Sequence, residues 1–153
     1  MEPSAVEIIS PQTAYLITSL MQSVIQEGTG QKAKELGRPA AGKTGTTNDI
    51  RDAWFIGFVP QRLVAGAWIG YDIEKSLGTH ETGAVAALPI WLEFMKEAVA
   101  HDPVENFSAP DGVVFVKVDA ATGEPVGSGQ PKSAKVIAEC FKEGTAPVVG
   151  PSS

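Results

Sequence analysis

Ala41-Gly42-Lys43-Thr44-Gly45-Thr46, Ala53-Trp54-Phe55-Ile56-Gly57-Phe58-Val59 and Leu63-Val64-Ala65-Gly66-Ala67-Trp68-Ile69-Gly70-Tyr71 follow one another closely in the chain. Each run has the length of a strand. The second and third are apolar at nearly every position and rich in aromatic residues, which predicts strands covered on both faces. Pro60-Gln61-Arg62 joins them in a length typical of a hairpin. Glycine weakens a strand interior, so Gly57, Gly66 and Gly70 mark places where a helix or a bulky ring sits against the backbone. Three strands in succession with short connections predict an antiparallel meander.

On the N-terminal side, Ser10-Pro11 reads as an N-cap followed by proline at the first helical position, where a missing N–H costs nothing. Ile17, Leu20, Met21, Val24 and Ile25 then recur at helical spacing and form one apolar face. Gly28 is placed to end this helix in a left-handed cap. Residues 28–42 contain Gly28, Gly30, Gly37, Gly42 and Pro39, a composition of loop with one short helical turn at residues 31–36. On the C-terminal side, a polar connector over residues 72–83 leads to a second helix, with Ile90, Trp91, Phe94, Met95 and Ala98 at helical spacing and Pro89 near its start. Trp91 and Phe94 are expected on the sheet. Trp54, Phe55, Trp68 and Tyr71 are read with them as core residues rather than ligand-stacking ones. Beyond His101-Asp102-Pro103 the composition shifts. Residues 113–118 read as a strand, residues 119–123 as a turn with Gly123 supplying a positive φ, and Gly144 onward as a loose tail. The expectation is an α+β fold, a β-meander flanked by helices over residues 1–101, with residues 102–153 a C-terminal extension holding a short hairpin and the tail.

Bulk properties exclude several classes of function. At 153 residues the chain is the size of one ordinary domain. A formal net charge of −6 and no clusters of Lys and Arg argue against a nucleic-acid partner. Cys140 is the single cysteine and reads as a small semi-buried side chain; with His80 and His101 the only histidines, no zinc pattern exists and no cofactor is expected. No stretch approaches the ~18 to 20 apolar residues of a membrane span. The N-terminal Met1-Glu2-Pro3-Ser4-Ala5-Val6-Glu7 lacks the pattern of a signal peptide.

The chemistry concentrates on Lys43-Thr44-Gly45-Thr46. Residues 37–44 match the phosphate-loop pattern GxxxxGK[ST], but that loop needs a buried strand before it and a helix N-terminus after it. Polar residues precede Gly37, and Thr-Gly-Thr-Thr-Asn after Lys43 forms helix poorly. The reading that fits better places the tetrapeptide on an edge strand beside a cleft. There the Lys43 ammonium supplies positive potential for a carboxylate, and the Thr44 and Thr46 hydroxyls donate to it. Gly45, lacking Cβ, lets a substrate strand or strained ring approach, while the Thr46 N–H forms half of an oxyanion hole. The bland alternative is an exposed turn with a solvated lysine. A non-enzymatic alternative is a small α+β module whose strand binds peptides.

Context decides between these. Ile9-Ser10-Pro11-Gln12-Thr13-Ala14-Tyr15-Leu16-Ile17, Gly28-Thr29-Gly30, Gly42-Lys43-Thr44-Gly45-Thr46-Thr47-Asn48-Asp49, Asp52-Ala53-Trp54-Phe55-Ile56-Gly57-Phe58-Val59-Pro60 and Trp68-Ile69-Gly70-Tyr71-Asp72, in this order and spacing, closely resemble the latter half of the transpeptidase domain of class A penicillin-binding proteins, the bifunctional peptidoglycan synthases. The resemblance covers residues 8–100. It implies a partial β-lactamase/transpeptidase-like fold and a serine-type D,D-transpeptidase parent on the periplasmic or extracytoplasmic face of the bacterial inner membrane. Its partners would be the peptidoglycan stem peptide or a β-lactam. That family uses Ser-x-x-Lys, Ser-x-Asn and Lys-Thr-Gly motifs. Only the third is present: no serine has lysine three residues later, and neither Asn48 nor Asn106 follows serine by two. The resemblance therefore implies a part of such an enzyme, inactive alone, which needs the N-terminal part of the domain for its nucleophile. In it Lys43 and Thr46 are the catalytic candidates and Thr44, Gly45 and Thr46 the substrate-binding ones. Asn48, Asp49, Arg51 and Asp52 are read as a solvated turn at the rim. Apolar surface left open by such a part predicts self-association through the exposed sheet edge.

Overall fold

The computed structural model describes residues 6–127 and 135–148. The reading of residues 1–7 as no signal peptide and of the tail past Gly144 fall in part outside these residues. By internal contacts the chain forms two compact units, one of residues up to Ile17 and from Ser108 onward, the other spanning Thr18–Phe107.

The larger unit is built on the three predicted strands. β1 (Ala41–Thr46), β2 (Asp52–Phe58) and β3 (Val64–Gly70) form a sheet in the order β1-β2-β3. Both pairings are antiparallel, with Thr44 opposite Phe55 and Trp54 opposite Trp68. The α+β meander is thus as expected. Directly opposed residues share a face, so Ala53, Phe55 and Gly57 lie with Ala67 and Ala65, while Trp54, Ile56 and Phe58 lie with Trp68, Gly66 and Val64.

α2 (Leu88–Ala98), entered through a π-helical turn at Gly83–Ala87, packs on the first of these faces. Its buried residues are Leu88, Trp91, Leu92 and Met95, one stripe at helical spacing. The Trp91 ring meets Phe55 edge-on at 5.0 Å between centroids, and its indole N–H donates to the Gly57 carbonyl at 3.2 Å. A Cβ on Gly57 would stand 2.8 Å from the Trp91 ring, so the glycine makes room for the tryptophan, as its place in the strand suggested. A short 3-10 turn, Gln31–Leu36, ends at Gly37 in the left-handed conformation (φ 71°). Its Ala33, with Ile25 and Ala40, completes the core.

Expectations about the sheet and its aromatic residues require correction. The sheet is buried on one face only: Trp54, Ile56, Val64 and Trp68 are between 41% and 64% exposed on the other. Apolar residues at consecutive positions concealed the period of two, because both sets of alternate residues are hydrophobic. Phe94 and Tyr71, read as core, are also about half exposed. On α2 the stripe through Leu88 and Leu92 takes the sheet. Ile90 and Phe94 fall on its flank, where with Trp68 they border an apolar groove beside β3.

α1 (Pro11–Gln26) begins as predicted: the Thr13 N–H donates to the Ser10 hydroxyl at 3.3 Å. Its end differs. Gly28 does not adopt a positive φ; its N–H donates to the carbonyls of Ser23 and Val24, each at 3.1 Å. What excludes a side chain there is space, since a Cβ would lie 2.9 Å from Val24 backbone atoms. Of the predicted apolar face Ile25 is buried, whereas Ile17 and Leu20 are exposed. The segment after α2 is tied to its unit by Phe107 against Phe58 at 5.6 Å and by Arg38 donating to the Asp102 carbonyl.

In the smaller unit, β4 (Val113–Asp119) and β5 (Val136–Lys142) form an antiparallel pair. The Asp119 carboxylate accepts the N–H groups of Ala121 and Thr122, and Gly123 has the expected positive φ of 73°. Tyr15 packs edge-on against Phe115. Burial, and secondarily the charge of Cys140, push its phenol above the ordinary value. Cys140 itself is free and buried.

Candidate active site

The tetrapeptide Lys43-Thr44-Gly45-Thr46 closes β1, and β1 is an edge strand. This overturns the phosphate-loop alternative for residues 37–44, because Lys43 and Thr44 sit within a strand rather than at a helix N-terminus. The hydrogen-bond alternation of the strand can be read from its end. The Thr47 N–H donates to the Asp52 carbonyl at 3.1 Å. Antiparallel ladders alternate bonded and non-bonded pairs, so Thr47 and Gly45 direct their backbone groups toward β2. Thr44 and Thr46 direct theirs outward, to the free edge.

Each side chain then has a defined place. Lys43 lies on the face of Ile56, and Thr44 and Thr46 on that of Phe55 and Ala53. Side-chain alternation separates them, yet the lysine returns to the edge: its ammonium donates to the outward carbonyl of Thr44 at 2.8 Å. The Thr44 hydroxyl lies 2.7 Å from that of Thr29, at the turn that ends α1. The Thr46 hydroxyl accepts the Gly83 N–H at 3.1 Å, which leaves its own proton free to be donated. Gly45 lies opposite Trp54, and an added Cβ would stand 3.2 Å from that side chain. A cation, two hydroxyls and an outward amide therefore converge on one strand edge, an arrangement suited to an extended anionic chain.

Beside Thr46 lies an open depression of about 510 Å³ lined by residues 46–49, 51, 52 and Glu74. Arg51 bridges Asp49 and Glu74 at 3.3 and 2.8 Å, and Trp68 donates to Asp52 at 2.8 Å. Exposed pairs of this kind contribute about 0–1 kcal/mol each. Asp49 and Ile50 both have left-handed φ (60° and 53°), a strained state for a β-branched residue, held in part by the Leu77 N–H on the Ile50 carbonyl. Sequence reasoning missed Thr29 and Gly83. The signal for Thr29 was its pair of flanking glycines; Gly83, separated from Thr46 by a long polar connector, carried none. Among the described residues no group of His, Cys, Asp and Glu is arranged to hold a metal, and no helix is long and apolar enough to cross a membrane.

An antiparallel sheet with a helix behind it and Lys-Thr-Gly on its open edge agrees with the resemblance of the sequence to the penicillin-binding transpeptidases. The chain belongs to that family: the model for the penicillin binding protein transpeptidase domain matches residues 2–87. Its relatives place it among the class A proteins. It is 45% identical over 128 residues to penicillin-binding protein 1A of Rickettsia bellii, covering 84% of this chain and 15% of that protein. It is 42% identical over 132 residues to penicillin-binding protein 1A of Pseudomonas aeruginosa, covering 85% of this chain and 16% of the other. The crystal structure of penicillin-binding protein 1A from Haemophilus influenzae superposes with a TM-score of 0.81 at 30% identity, over 97% of this chain and 22% of that one. The chain thus spans about 15% of the length of the curated relatives it matches.

Proposed function

We propose that Lys43-Thr44-Gly45-Thr46 is the carboxylate-holding wall of a peptidoglycan D,D-transpeptidase site, with the donor stem peptide or a β-lactam as ligand. The observation that carries this reading is the outward set at the free edge of β1: the Thr44 and Thr46 backbone groups, and the Lys43 ammonium at the Thr44 carbonyl. The Thr44 and Thr46 hydroxyls donate to the ligand carboxylate. The Lys43 charge holds it and favours proton loss by a neighbouring nucleophile. Gly45 keeps the strand open, and the Thr46 N–H supports the oxyanion formed when a serine attacks the carbonyl.

The serine is not among these residues. Acyl transfer begins with an activated nucleophile, and the sequence contains neither Ser-x-x-Lys nor Ser-x-Asn. The nucleophile comes in this reading from another part of the transpeptidase domain, on the extracytoplasmic face of the bacterial inner membrane, with residues 1–101 the C-terminal part of that domain and residues 102–153 its extension. Fluorescent penicillin tests the proposal. The 153-residue chain alone gives no covalent band on a denaturing gel. Mixed with the part of the domain that carries Ser-x-x-Lys, it restores labelling, and Lys43→Ala slows that labelling by about a hundredfold, the scale of one electrostatic contact made in the transition state. A band from the chain alone, or a restored rate indifferent to Lys43→Ala, overturns it.

A further inference from the structure

We infer that Thr29 is a positioning residue that aims the Thr44 hydroxyl at the ligand carboxylate, an inference that rests on the carboxylate reading above. The two hydroxyl oxygens are 2.7 Å apart across fifteen residues of sequence, and either could be the donor. The ligand resolves the direction. A hydroxyl has one proton and two lone pairs, and a carboxylate only accepts. When Thr44 gives its proton to the carboxylate, it has only lone pairs left for Thr29. Thr29 must then donate to Thr44, giving the relay Thr29 O–H to Thr44 O–H to carboxylate. The relay fixes the Thr44 rotor and polarises its O–H bond, and each bond in such a chain strengthens the next.

The placement of Thr29 is built in. The Gly30 N–H bonds to the Val24 carbonyl at 2.9 Å and Gly30 is buried. Gly28 bonds to the same carbonyl, at a distance that leaves no room for a side chain. The two glycines wind the chain onto the last turn of α1 and set Thr29 against β1. Thr29 is itself exposed, so core packing does not account for it.

The test titrates the 153-residue chain with penicillin G and, separately, with its methyl ester, following the amide signals of Thr44, Gly45 and Thr46 by NMR. The wild-type chain prefers the acid, and Thr44→Val weakens that preference about three- to tenfold, leaving the share that Lys43 and Thr46 supply. Thr29→Val reduces it about three- to tenfold, the worth of one hydrogen bond, while leaving ester binding unchanged. Thr29→Ser restores it, and Thr29→Val adds nothing when Thr44→Val is already present. Full acid preference in Thr29→Val alongside its weakening in Thr44→Val overturns the role of Thr29 alone. Equal weakening of acid and ester in Thr29→Val, unrescued by serine, assigns the residue to structure and overturns it too. An acid preference undiminished in Thr44→Val overturns this inference alone, and a wild-type chain that binds acid and ester alike overturns the carboxylate reading and this inference with it.

Discussion

Two glycines show how little space surrounds the candidate site. A Cβ on Gly83 would collide with the Trp54 carbonyl and stand 2.6 Å from that of Gly45. These are backbone atoms of paired strands and cannot turn aside. Gly83→Ala therefore pushes the turn before α2 away from β1 and breaks the Gly83 N–H bond to the Thr46 hydroxyl. Overpacking of this kind costs about 1–3 kcal/mol. Gly57→Ala meets the Trp91 ring instead and costs a similar amount, but it lies at the far end of the strand pairing from Thr46. Urea unfolding should show both losses, whereas the Thr46 amide signal should move in Gly83→Ala alone. A Gly83→Ala variant with wild-type stability and an unmoved Thr46 would show that the turn does not seat on the strand as described.

At the scale of the elements, the two faces of β2 make opposite predictions for adjacent residues. Phe55 is fully buried against Trp91, and Trp54 is 41% exposed. Phe55→Ala should cost about 3–5 kcal/mol. Trp54→Ala should cost much less, since what it forfeits is chiefly its cross-strand contact with Trp68, worth about 0.2–1 kcal/mol. Comparable losses in chemical denaturation would contradict the face assignment. This is also where the legibility of the sequence had its limit. The three strands of the larger sheet, their order and the helix starts were readable because they depend on local signals: turn residues between apolar runs, Ser10 before Pro11, apolar spacing in α1 and α2. The buried face was not, because Trp54, Phe55, Ile56 and Phe58 are all apolar and only the partner across the sheet separates them. In the site, Lys43 through Thr46 could be located from their motif. The Thr29 and Gly83 contacts could not, because they join α1's end and the α2 entry to β1 through tertiary packing.

For the whole molecule, one sheet face carries Trp54, Ile56, Val64 and Trp68 in the open, and the sheet has two edge strands, β1 and β3. Exposed apolar patches and unpaired strand edges both favour pairing with another chain. Net charge opposes it: at −6, two copies repel one another. The balance has a definite sign with salt. Raising ionic strength from about 0.01 to 0.15 M shortens the Debye length from about 30 to 8 Å, which weakens the repulsion and leaves the apolar attraction in place. Sedimentation of the 153-residue chain should therefore show a mass that rises with protein concentration and rises further with salt. Ile56→Lys with Val64→Lys, which puts two charges on the open face without touching the core, should return the chain to a monomer. A wild-type chain that stays monomeric at about 100 μM and 0.15 M salt, where the Debye length is only ~8 Å, would rule out self-association through this face. An association that grows weaker with salt would point to charge pairing as its cause instead.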